Sequence, residues 1–119
     1  MSGNSQWPTE IRLKRDRRTL VVAFDDGVVH ELPAEMLRVL SPSAEVQGHS
    51  PEQRVTVPGK SNVEVIAVDP IGNYAVRLTF DDGHSTGIFA WPYLRRIGDE
   101  REGLWAEYLA ELKAKGLKR

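Results

Sequence analysis

"LVVAFDDGVVHELPAEMLRVL", residues 20–40, and "VRLTFDDGHSTGIFAWPYLRRI", residues 76–97, align on a shared Phe-Asp-Asp-Gly, with one extra residue near the end of the second. Each reads as a strand, a tight turn, a second strand, and a short helix opened by a proline, Pro33 or Pro92. Proline suits the first helical turn, where its missing N–H has no partner to lose. A two-residue Asp-Gly loop would set Val22 against Glu31 and Leu78 against Gly87. A three-residue loop, with Gly27 or Gly83 left-handed, moves the register by one. Leu20 then faces Leu32, and Val76 faces Ile88. This puts Leu20, Val22, Phe24 and Leu32 on one face, and Val76, Leu78, Phe80 and Ile88 on another. A one-residue slip would turn both sets the wrong way, so the three-residue loop is expected in both units.

The flanking pieces extend this pattern. "EIRLKRDRRTLVV" predicts an earlier strand carrying Ile11 and Leu13, with a turn near Asp16. "NVEVIAVDPIGNYAVRL" predicts a strand near Val63–Val68, then a turn carrying Pro70, Gly72 and Asn73. Ser41–Asn62 is rich in Ser, Pro, Gly and polar residues, and a connection of that length is either flexible or functional. From about Asp99 to Lys115, the residues Leu104, Trp105, Tyr108, Leu109 and Leu112 form one apolar stripe of a helix. Acids lead that helix and bases trail it, which complements its dipole. The stripe is expected to pack on a sheet. The fold class is α+β: a small β-rich domain of two related hairpin-plus-short-helix units and a C-terminal amphipathic helix. It is read as one domain over residues 1–119, with its core at about 11–98 and its last helix at about 99–115.

Composition removes several functions. Sixteen basic and seventeen acidic residues leave a net charge of −1, so no global field favours nucleic acid or an anionic membrane. The absence of cysteine excludes disulfides, thiolate zinc, cysteine-ligated clusters and cysteine nucleophiles. The first ten residues hold no apolar core like a signal peptide's, and no long apolar run follows. A cytoplasmic location is expected.

The chemically suggestive residues are few. Gly59-Lys60-Ser61 ends like a phosphate-binding loop, but Arg54 stands where that pattern needs glycine, and an NTPase is rejected. Lys14–Arg18, "KRDRR", places four cations at a hairpin tip without interleaved aromatics, which reads as a solvated turn. His30, His49 and His84 are followed two places on by Leu32, Pro51 and Thr86, so the His-x-acid signature of a facial-triad iron site is absent. No serine sits in a nucleophile elbow. Trp91, before Pro92 and a short helix that Gly98 would end, is either core or the wall of a groove.

"LRVLSPSAEVQGH" and "PIGNYAVRLTFDDGHSTGIFAWPYLRRIG", with the spacing between them, resemble a small bacterial family of unknown function. It takes its name from the N-terminal domain of gamma-butyrobetaine hydroxylase, and the resemblance runs from about Ile11 to Gly98. In hydroxylases of that kind the domain precedes an iron(II) and 2-oxoglutarate catalytic domain and contributes to subunit contacts. It also occurs attached to ATPases that carry iron–sulfur clusters. In the hydroxylases it holds a structural zinc with three closely spaced cysteines and a histidine. The resemblance places that histidine at His84 and the cysteine run around Ser41, Ser43 and Glu45, where this chain has no cysteine.

These readings lead to a non-catalytic interaction or accessory domain, acting through a protein partner or self-association. Its expected surface comprises Ser41, Ser43, Glu45, His49, His84 and Trp91. The alternative is a metal-binding accessory protein with a divalent ion, zinc or iron, at His84 and His49. A membrane role is not expected, and nucleic-acid binding stands last.

Overall fold

The computed structural model describes residues 7–48 and 54–119. Strands β1 (Pro8–Leu13), β2 (Thr19–Phe24) and β3 (Val29–Pro33) form one antiparallel sheet in the order β1-β2-β3, followed by helix α1 (Ala34–Val39). A four-residue helix α2 (Ala44–Gln47) lies in the long connection. Strands β4 (Val65–Ile71), β5 (Ala75–Phe80) and β6 (Ile88–Ala90) form the second sheet, β4-β5-β6, followed by α3 (Trp91–Asp99) and α4 (Arg101–Ala114). The protein is therefore α+β with a C-terminal helix.

The two Phe-Asp-Asp-Gly turns have matching geometry. Gly27 and Gly83 sit at φ of 90° and 92°, where a side chain would be strained. Phe24 N–H donates to Val28 C=O and Phe80 N–H to His84 C=O, closing three-residue loops. In each loop the second aspartate accepts from the backbone N–H two residues on, Asp26 from Val28 and Asp82 from His84. Leu20 pairs with Leu32, as that loop requires.

The second hairpin departs from the expected register. Val76 pairs with Phe89, and Ile88 pairs with Arg77. Phe80 bonds to His84 but Leu78 bonds to Gly87, so two steps on β5 oppose three on the returning strand. The extra residue is absorbed there as a bulge, and it turns Phe89 inward and Ile88 out. Phe89 is fully buried and Ile88 is 43% exposed.

Two further boundaries differ from expectation. Pro70 lies inside β4 opposite Val76 rather than in the turn. β4 is an edge strand, where a residue without an N–H donor breaks no ladder. Helix α3 runs through Gly98 to Asp99, and a side chain at Gly98 would collide with the His30 ring. The glycine thus serves helix–hairpin packing, with His30 bonded to Asp99 at 2.9 Å.

One apolar cluster joins the sheets and helices. It includes Leu20, Val22, Phe24 and Leu32 from the first sheet, and Val65, Leu78, Phe80 and Phe89 from the second. Met36, Leu37, Leu94, Ile97, Tyr108 and Leu112 close it from the helices. Of the predicted α4 stripe, Tyr108 and Leu112 are buried, Leu104 and Trp105 lie partly buried against the core, and Leu109 stays 40% exposed. The segment after residue 53 is strapped to α4: Thr56 donates to Glu111, Arg54 pairs with the same carboxylate, and Tyr108 donates to Val57 C=O. No helix among the described residues is long and apolar enough to cross a membrane.

Candidate functional site

Residues from two distant stretches converge where the second hairpin meets the turn after α1. The Phe-Asp-Asp-Gly turn delivers His84, whose side chain is 3% exposed. The chain leaving α1 delivers Ser41 and Ser43, both buried, and α2 carries Glu45 over the top. Ser41 Oγ lies 2.9 Å and Ser43 Oγ 3.3 Å from His84 Nε2. The Glu45 carboxylate lies 3.3 Å from His84 Nδ1 and also accepts from Thr86. A carboxylate only accepts, so Nδ1 carries the ring proton and Nε2 accepts from a serine hydroxyl.

A second layer fixes this cluster. Asp82 accepts from the His84 N–H at 3.0 Å, from Arg38 at 2.7 Å, and pairs with Lys60 at 2.6 Å. Burial works against the ionised Asp82, but the bonds from Lys60, the His84 backbone and Arg38 hold its carboxyl well below the usual range. Gln47 donates to Ser41 C=O. At Gly87 an added Cβ would sit 2.3 Å from Ser41 Oγ, so only glycine admits the serine there.

The order Ser41–His84–Glu45 matches that of a serine–histidine–acid triad. Its hydroxyl, however, is sealed: Ser41 has no exposed surface. A nucleophile must reach its substrate, and this one reaches only the imidazole and Ser43. Chemically the arrangement is a hydrogen-bonded clasp that ties the α1–α2 connection to the second hairpin.

The same atoms test the zinc site implied by the resemblance. A structural zinc takes four ligands, mostly thiolate and imidazole. Here the strong donors are His84 and Glu45, and both serine hydroxyls are engaged with the imidazole. Among the described residues no group of three or more His, Cys, Asp or Glu could hold a metal ion. The residues of the cluster do not fit a structural zinc. His49 lies outside the described residues.

Neutral His84 has a consequence for stability. Burial first, then the Arg38 guanidinium, pull its pKa below the ordinary 6.5, against Glu45 and Asp82. The unfolded chain then binds a proton more readily than the folded one. Stability from this group is complete above pH 6.5 and is lost as pH falls below it toward the folded value. Denaturation across pH 7.5 to 5 is expected to show a decline no steeper than about 1.4 kcal/mol per pH unit from this histidine. The decline should flatten in His84→Gln; an unchanged slope in that variant would remove His84 as its source.

Of the residues singled out in the sequence, Ser41, Ser43, Glu45 and His84 come together, while Trp91 does not join them. Trp91 starts α3, donates its indole N–H to Asn73 C=O, and walls a separate cleft. That cleft, of about 410 Å³, lies between the edge strands β1 and β4 and includes Pro8, Ile11, Val68, Pro70 and Val76. Asp82 was legible as a turn carboxylate beside His84, whereas Arg38, Lys60 and Gly87 were not legible as parts of the cluster. The broken phosphate-loop ending at Lys60 was the only local hint.

A model of the family described as gamma-butyrobetaine hydroxylase-like, N-terminal, matches residues 11–95. The chain belongs to that family. Two solution NMR structures resemble this member along nearly its whole length. One is 46% identical over 96% of this chain and 90% of its own, with a TM-score of 0.81. The other is 44% identical over 100% and 89%, with a TM-score of 0.83. A crystal structure of a protein of unknown function from Acidithiobacillus ferrooxidans, of the DUF971 family, is 44% identical over 76% of this chain and 91% of its own, with a TM-score of 0.63. No curated protein matches the chain.

Proposed function

We propose that this protein is a non-catalytic accessory domain that works by binding a protein partner. The observation that carries this reading is the Trp91 cleft between the two sheet edges. Its walls are largely apolar, and about 410 Å³ falls within the range of ligand-binding clefts, roughly 300–1,000 Å³. Pro8 and Pro70 stand on the two edge strands and remove N–H donors that an added strand would need. The cleft therefore suits apolar side chains of a partner segment rather than sheet extension. The sealed Ser41 supports the absence of catalysis.

Val68 is partly buried at this cleft and packs against the core, so glutamate there would place a charge in the partner's path, with an unchanged far-UV circular dichroism spectrum as the check that the variant still folds. Wild-type protein is expected to capture a reproducible partner that rebinds when purified and is lost with Val68→Glu. Absence of any such partner, together with a monomer in solution, would defeat the reading.

A further inference from the structure

Glu35, in the first turn of α1, is a carboxylate with a side chain only 8% exposed. Burying such a group is costly unless it is paired. Its partner is Arg119, which donates from Nη2 at 2.7 Å and from Nε at 3.0 Å in a two-pronged fork. The same guanidinium lies 5.4 Å from the Trp105 ring centre. A planar cation held by a carboxylate fork and an indole face is the geometry that recognises arginine over lysine.

Arg119 takes both Glu35 oxygens from a position open to solvent. Its side chain is half exposed, and it follows α4 without regular secondary structure. Backbone bonds hold the segment before it: Leu117 N–H donates to Leu112, and Gly59 N–H to Lys118 C=O. Arg119 itself is anchored through its side chain. Beside it runs a groove of about 470 Å³, walled by Met36, Trp105 and Leu109, with Glu35 in its lining. The groove shares no residue with the Ser41–His84 cluster or the Trp91 cleft.

The geometry points to an arginine-recognition site between α1 and α4. Its ligand is a partner peptide carrying an arginine next to an apolar side chain. The arginine meets Glu35 and Trp105, and the apolar neighbour lies on Met36 and Leu109. Arg119 is the built-in occupant that the partner's arginine displaces. A ligand that binds only the vacated form is weakened in proportion to how rarely that form is populated.

The test is an NMR titration of the full chain with acetyl-Leu-Arg-Leu-amide, read at the Trp105 indole resonance, with acetyl-Leu-Lys-Leu-amide as comparison. Arg119→Ala is expected to bind the arginine peptide several-fold more tightly than wild type, and to prefer it to the lysine peptide. Adding Glu35→Gln should weaken binding about tenfold or more, as expected for a lost charged hydrogen bond. The arginine-over-lysine preference of Arg119→Ala is read on intact Glu35, so the test stands even where Glu35→Gln folds poorly. No saturable shift at Trp105 in Arg119→Ala, or equal response to both peptides, would overturn the site. Equal affinity of wild type and Arg119→Ala would overturn displacement. Concentration-dependent broadening without peptide would assign the groove to a second copy instead.

Discussion

Asp82→Ala is expected to destabilise the protein by about 2–4 kcal/mol, the cost of stranding largely buried cations, reduced for their partial exposure. Arg38, Lys60 and Asp82 side chains are only 12%, 22% and 18% exposed. Arg38 Nη1 is already buried without a hydrogen-bond partner among the described residues, so losing the bond at Nε leaves the guanidinium poorer still. Asp82 also accepts the His84 N–H, and its removal loosens the turn that presents the imidazole to Ser41. The matching change in the first turn, Asp26→Ala, should have a much smaller effect. Asp26 meets Arg95 at a 40% exposed side chain, and Arg95 keeps Asp99 as a second carboxylate. Urea denaturation of the two variants side by side measures the contrast. Equal losses would mean that the turn hydrogen bond common to both aspartates, not the cation clamp, sets the cost.

Phe89→Ala is expected to cost about 3–5 kcal/mol, as for other fully buried aromatic rings cut back to a methyl group. Phe89 lies opposite Val76, has no exposed surface, and stacks at a tilt 6.1 Å from Tyr93. Ile88→Ala, one residue away and 43% exposed, should change stability by less than about 0.5 kcal/mol. The pair reads the register directly, because a slip by one residue exchanges the two roles. A larger loss at Ile88 than at Phe89 would contradict the bulge between His84 and Gly87.

How far each feature could be read from the chain depended on how far apart its parts lie. The turns were legible because their chemistry is local: Phe-Asp-Asp-Gly carries its own left-handed glycine and its own aspartate acceptor. The first hairpin followed from alternation, since Leu20, Val22, Phe24 and Leu32 can share a face in one register only. In the second hairpin Ile88 and Phe89 are both apolar, so alternation permits either register. The bulge that chooses Phe89 sits beside Gly87, held against Ser41 from another part of the chain. The candidate site divides in the same way. Family resemblance placed Ser41, Ser43 and Glu45 with His84, whereas Arg38 and Lys60 carried no pattern, because their common partner Asp82 lies far along the sequence.

The amino-acid sequence by itself determined the α+β class, the two glycine turns, the register of the first hairpin, the last helix, and the family. All but the family rest on backbone preferences and periodicity within a few residues; the family rests on resemblance across residues 11–95. Only the tertiary structure decided that Ser41 is sealed, that Asp82 holds two cations while Asp26 holds one, and that Phe89 rather than Ile88 enters the core. It also decided that a buried Glu35 takes an arginine. Each of these is set by burial and by pairing between distant segments. A side chain's solvent and partners exist only once the chain has closed on itself.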